Sequence, residues 1–107
     1  MELKIDLNNE SDEKTILQIF GEALGYSEEK LWGKNWDAFN DILGYLDVGG
    51  IWGNNILLSF PMIFLISNFH NLKIQAPQDF VILNEILKET KLKYAKDGKM
   101  FNYKFFE

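Results

Sequence analysis

The sequence predicts an α/β fold in which a three-stranded, largely parallel sheet packs with four helices in the order β-α-α-β-α-α-β. Strand-like segments lie near the start, the middle and the end of the 107-residue chain. Segments with helical periodicity separate them, and such crossovers connect parallel strands. The length and a hydrophobic fraction of 47% suffice for one packed core but not for two. We therefore expect one domain over residues 1–107.

The first half of the chain predicts one strand and two helices. Apolar and polar residues alternate over residues 3–7, which is typical of a half-buried strand. Ser11 is expected to cap a first helix, which ends at Gly25. After a connection, Asn35 is expected to cap a second helix that runs to about Leu46.

The second half predicts the remaining elements. Residues 49–55 form a glycine-rich loop, and the continuous apolar run 56–60 is typical of a buried strand of a parallel sheet. Pro61 suits the first position of a short third helix that reaches residue 69. A fourth helix is predicted over about 79–93, and alternation over 101–105 predicts the final strand.

The amino-acid composition limits the classes of ligand that the protein is expected to bind. Sixteen acidic against eleven basic residues give a net charge of −5, which disfavours direct nucleic-acid binding because such binding rests on neutralising phosphates. The sequence has no cysteine, no phosphate-binding glycine loop and no metal-ligand cluster, so we expect no cofactor and no metal. His70, the single histidine, is expected on the surface.

The cellular location is also indicated by what the sequence lacks. The first six residues show no basic, secretory-type start, and the densest apolar run, 56–66, is too short to span a bilayer. We expect a cytoplasmic protein that does not enter a membrane.

The second helix has two chemically different faces. At about 100° per residue, Trp36, Phe39 and Leu43 fall in one sector, which we expect to face the core. Asp37 and Asp41 lie together on the opposite side, although like charges four residues apart cost a helix a few tenths of a kcal/mol. They are either ordinary surface carboxylates or part of a binding surface.

The amino-acid sequence of residues 26–43 favours the binding surface, because this segment resembles the barstar family. The family pattern is an aromatic-Gly-x-Asn-x-Asp-Ala-hydrophobic-x-Asp run that leads into the second helix. The residues that match it in register are Trp32, Gly33, Asn35, Asp37, Ala38, Phe39 and Asp41. The resemblance implies the same element order and an inhibitor of nucleases that is not itself an enzyme.

The resemblance also implies which residues meet the partner. They are the loop before the second helix, the outer face of that helix and one acid of the fourth helix: Leu31, Trp32, Gly33, Asn35, Asp37, Asn40, Asp41, Gly44, Tyr45 and Glu89. After Leu43 the alignment with the family pattern allows two registers, so either Tyr45 or Leu46 occupies the next aromatic contact position. Trp32 either packs against Asn40 or points outward as an anchor. Asn40 and Leu31 stand where the family has aromatic residues, which indicates a different target enzyme.

Three functions follow as hypotheses. The leading one is a bacterial immunity protein that occludes the basic active site of a cognate nuclease toxin, as in toxin–antitoxin or contact-dependent inhibition systems. We expect a monomer when free and a one-to-one complex with the partner. The alternative is a barstar-like interaction or regulatory module without a nuclease target. The third is a small metal-dependent enzyme using Asp37, Asp41 and Glu89.

Overall fold

The computed structural model describes residues 1–25, 35–48 and 59–106. In chain order the elements are β1 (Glu2–Asp6), α1 (Glu13–Ala23), α2 (Trp36–Gly44), a 3-10 helix (Leu46–Val48), β2 (Met62–Ser67), α3 (His70–Gln75), α4 (Pro77–Lys96) and β3 (Phe101–Phe106). The strands form one parallel sheet in the order β1-β2-β3. The predicted fold class and element order are confirmed.

The register of the sheet separates an inner face from an outer one. Leu3, Phe64 and Tyr103 lie side by side in one row across the sheet. Phe64 is buried, and the other two side chains pack against the core. Lys4 and Lys104, one position further along their strands, are exposed. Successive side chains of a strand alternate between faces, so the helices cover the first row and the charged residues lie on the other face.

Aromatic rings join the helices to this inner face. The Phe20 ring of α1 lies 4.9 Å from the Phe39 ring of α2 and 6.3 Å from the Phe64 ring of β2, centroid to centroid. All three residues are fully buried. The buried residues of the remaining helices belong to the same cluster, among them Leu72, Leu83, Leu87 and Tyr94.

The second strand and the third helix correct the sequence prediction. The strand is Met62–Ser67, where a helix was predicted, and the third helix starts only at His70. Residues 56–58 of the predicted strand lie outside the described residues, and Ser59 and Phe60 are not in a strand. Both segments are short apolar runs, which periodicity alone does not assign to strand or helix. Pro61 precedes the strand, a position that proline tolerates because it owes no hydrogen bond to the sheet ladder.

The first helix starts one residue later than predicted and is terminated at Gly25 as predicted. Asp12, not Ser11, is the N-cap, and its carboxylate accepts a hydrogen bond from the Thr15 N–H at 3.1 Å. Gly25 lies just beyond the helix with φ of 88°, the left-handed conformation that commonly ends helices at glycine.

The fourth helix is longer than predicted. It runs over Pro77–Lys96, with Pro77 at its first turn, where a missing N–H costs no helical bond. Its inner face carries the buried residues Leu83, Leu87, Thr90 and Tyr94. No helix in the described part of the chain combines the length and the apolar character needed to cross a membrane. The predicted loop 49–55 lies outside the described residues.

Candidate functional site

The second helix begins and is oriented largely as its sequence predicts. Asn35 is its N-cap, with an extended backbone and a side-chain oxygen that accepts a hydrogen bond from the Ala38 N–H at 2.8 Å. Phe39 is fully buried, whereas Asp37 and Asp41 are exposed. The predicted division of α2 into a core face and an acidic outer face is therefore confirmed. The helix ends at Gly44, two residues earlier than predicted, and a 3-10 helix follows.

A groove of about 520 Å³ lies between α2 and α4. Its α2 wall consists of Asn40, Asp41, Gly44 and Tyr45, and its α4 wall of Glu89, Thr90 and Lys93. Glu89 and Asp41, which are 48 residues apart in sequence, thus line one concave surface. Tyr45 lies at its edge with 51% of its surface exposed.

The remaining predicted site residues lie elsewhere. Asn35 caps α2, and Asp37 is exposed in the first turn of that helix without lining the groove. Leu31, Trp32 and Gly33 lie outside the described residues. The structure thus brings together Asn40, Asp41, Gly44, Tyr45 and Glu89 from the predicted set.

Side-chain contacts with α4 hold α2 at both ends. At its start, the indole N–H of Trp36 donates to the Asp79 carboxylate at 3.0 Å. The bond satisfies the polar edge of Trp36, whose ring is half-buried and packs against the core. The starts of α2 and α4 therefore lie close to each other.

At the end of α2, the hydroxyl of Tyr94 is the anchor. It donates to the Leu43 carbonyl and accepts from the Leu46 N–H at 3.1 Å. These two backbone groups flank Gly44 and Tyr45, the last residues of the α2 wall of the groove. Burial raises the pKa of Tyr94 to about 12, so the hydroxyl is protonated and able to donate at neutral pH.

Lys93 adds a second tie between α4 and the end of α2, at Gly44. Its Nζ donates to the Gly44 carbonyl at 2.9 Å. A Cβ placed on Gly44 would lie 3.1 Å from that Nζ. Gly44 is one of the residues that the resemblance places at the partner, and in the structure the space beside it holds Lys93.

An ion pair fixes the 3-10 helix that follows. Lys99 Nζ lies 2.8 Å from the Asp47 carboxylate, and this hydrogen bond holds the pKa of Asp47 below its ordinary value. The chain beyond Tyr45 is thereby tied to the segment that follows α4.

Sequence reasoning missed Thr90, Lys93 and Tyr94. Thr90 is buried on the inner face of α4, and Lys93 lies in the last turn of that helix. A signal was present: Glu89 and Lys93 are four residues apart, so both lie on one side of α4. The groove therefore carries a cation among its carboxylates.

Metal binding has no support in the described residues. There, no group of three or more His, Cys, Asp or Glu side chains is placed to hold a metal ion. His70 is exposed at the start of α3.

The fold and the groove define a class of small α/β proteins, with a three-stranded parallel sheet and an acidic groove between the second and fourth helices. A family model described as Barstar (barnase inhibitor) matches residues 1–105. The chain belongs to the barstar family, as its motif predicted. Membership implies a nuclease-inhibitor-like function and a nuclease partner, because the family consists of inhibitors and not of enzymes. No curated protein matches the chain in a sequence comparison.

Proposed function

We propose that the chain inhibits a cognate nuclease toxin by covering the active site of that enzyme with the outer face of α2 and the carboxylates that line the acidic groove. The observation that carries the proposal is the meeting of Asp41 and Glu89, from different helices, in one groove. A nuclease active site is rich in basic groups that hold phosphate. Carboxylates can satisfy these groups through charge-assisted hydrogen bonds and so take the place of the substrate.

The partner is proposed to be a ribonuclease with a basic active site, bound one-to-one in the cytoplasm of a bacterium that must survive its own or a neighbour's toxin. Asn35 and Asp37, together with the preceding Leu31, Trp32 and Gly33, extend the proposed contact surface beyond the groove. The rigid ties from α4 support this mechanism, because a surface that is ordered before binding loses less conformational freedom on binding.

The test uses the purified chain with barnase and with any nuclease encoded beside its gene. We expect RNA cleavage by at least one of these enzymes to be inhibited. Asp41→Ala should weaken that complex about 30-fold or more, equivalent to about 2 kcal/mol. Its free energy of unfolding should stay within about 0.5 kcal/mol of wild type, since Asp41 is exposed. Glu22→Ala, which removes an exposed carboxylate of α1 outside the groove, is the matched control and should bind normally.

Salt provides a second measurement on the same complex. The association rate should fall as ionic strength rises, because an acidic surface that approaches a basic one is steered by charge.

If Asp41→Ala binds as tightly as wild type, the interface lies elsewhere. If no nuclease is bound, the alternative of an interaction module without a nuclease target is favoured instead.

A further inference from the structure

The solvent-facing side of α4 carries a regular stripe that neither the core nor the groove uses. Val81, Glu85, Lys88 and Leu92 follow one another at spacings of four, three and four residues, the spacing of a coiled-coil seam. All four are exposed, with Val81 at 52% and Leu92 at 54%. The buried residues of α4 lie on the opposite side of the helix. We call these four residues the α4 seam.

The α4 seam is complementary to itself in one orientation. If two copies of α4 lie antiparallel about a two-fold axis midway between positions 85 and 88, Val81 of each copy faces Leu92 of the other. Glu85 then faces Lys88 of the other copy, and the symmetry generates each pair twice. A parallel arrangement would place Glu85 against Glu85 and Lys88 against Lys88, which repel.

The two charged residues of the seam are available for such pairing. Among residues 1–25, 35–48 and 59–106, neither Glu85 nor Lys88 forms an ion pair or a side-chain hydrogen bond. Beside Val81 lies a shallow hollow of about 470 Å³, lined by Pro77, Gln78, Val81 and Ile82. An apolar side chain of a second copy can enter this hollow, as a knob enters a hole in a coiled coil.

We propose that the α4 seam is a docking surface for a second copy of this chain, which forms an antiparallel, two-fold symmetric dimer. The contact is confined to one helix face, so the dimer is weak and reversible, in the range of small transient interfaces. This inference does not rest on the nuclease partner. It replaces the expectation of a free monomer with a concentration-dependent equilibrium.

Charge reversal gives the decisive test by sedimentation equilibrium of the purified chain up to about 1 mM. The wild type should dimerise as concentration rises. Glu85→Lys alone and Lys88→Glu alone should each self-associate about tenfold more weakly or worse, because like charges then face each other. A mixture of the two variants should associate again, since each presents the charge that the other lacks. The double variant Glu85→Lys/Lys88→Glu should regain self-association, because it restores opposite charges across the antiparallel contact.

Controls separate this effect from net charge and from misfolding. Glu22→Lys and Lys14→Glu make the same charge changes at exposed positions of α1 and should dimerise like wild type. Urea unfolding should show that all variants are folded.

Cross-linking tests the pairing directly, because the chain contains no cysteine of its own. A mixture of Val81→Cys and Leu92→Cys variants should form a disulfide-linked dimer under oxidising conditions, faster than either variant alone. A chain that remains monomeric at about 1 mM, or a mixture of charge variants that associates no better than its components, would overturn the proposal. Preferential cross-linking of Val81→Cys with itself would overturn it too.

Discussion

Replacing Tyr94 by phenylalanine tests whether a single hydroxyl holds the end of α2 and, with it, one wall of the groove. The Tyr94 oxygen donates to the Leu43 carbonyl and accepts from the Leu46 N–H. Tyr94→Phe removes both bonds and leaves the ring in place, where it packs against Phe60 and Phe101 with centroids 4.9 and 6.1 Å away. The change therefore isolates the polar contribution from packing.

The expected loss in the free energy of unfolding follows from the burial of the two groups that lose their partner, the Leu43 carbonyl and the Leu46 N–H. Tyr94, Leu43 and Leu46 are essentially inaccessible to solvent, so the carbonyl and the N–H both lose their partner away from water. Each unsatisfied buried group costs about 1–3 kcal/mol, and some relaxation of the helix end is expected. We predict a loss of about 2–4 kcal/mol in the free energy of unfolding.

The pKa of the same residue adds a signature at alkaline pH. Burial raises the pKa of Tyr94 from 10.0 to about 12, so the folded state retains the phenolic proton more strongly than the unfolded state. The associated stability is fully present below pH 10 and is lost as pH rises from about 10 to 12, by about 2–3 kcal/mol. Tyr94→Phe lacks this group and should lose less stability over that interval.

Urea denaturation of wild type and Tyr94→Phe at pH 7, and at steps from pH 9 to 12, measures both effects. Tyr45→Phe is the matched control, because this tyrosine is 51% exposed and should change stability by less than about 0.5 kcal/mol. A loss below about 0.5 kcal/mol in Tyr94→Phe at pH 7 would show that the hydroxyl does not hold the end of α2.

Two further substitutions test the start of α2, both by urea denaturation. Asn35→Ala removes the N-cap bond to the Ala38 N–H and should cost about 1 kcal/mol, whereas Asn35→Asp should retain most of the stability; equal losses in both variants would contradict a capping role. Trp36→Ala should cost about 2–3 kcal/mol, below the 3–5 kcal/mol typical of a fully buried aromatic side chain, because Trp36 is half-buried. Trp36→Phe should cost about 1 kcal/mol through loss of the bond to Asp79, and an unchanged free energy of unfolding would refute that assignment.

The faces of α2 could be predicted because local geometry decides them. Once Asn35 is accepted as the cap, the helical period fixes that Phe39 turns inward and Asp41 outward. The structure agrees on each of these points. The motif of residues 32–41 then led to the correct family, since its spacing is far more specific than two carboxylates alone.

The second strand could not be placed in the same way. Residues 56–60 and Met62–Ser67 are adjacent apolar runs, and the pattern of either one is compatible with a buried strand. Met62–Ser67 is distinguished by its partners, since Ile63 pairs with Glu2 on one side and with Asn102 on the other. Pairing between segments that are far apart in sequence is a property of the whole sheet, so no local signal revealed it.

Some features of the groove could be predicted from local sequence, and others depend on the tertiary structure. Asp41 was predicted from its own helix, and Glu89 from a resemblance, but the tie between Lys93 and the Gly44 carbonyl links residues 49 positions apart. The hydrogen bond between Lys93 and the Gly44 carbonyl depends on how α2 crosses α4. That crossing is decided by the packing of the buried faces of the two helices. A lysine at the end of a helix has many solvated conformations, and only that crossing directs its ammonium group to Gly44. The acidic character of the site could therefore be inferred from sequence, whereas the bond between the Lys93 ammonium group and the Gly44 carbonyl required the tertiary structure.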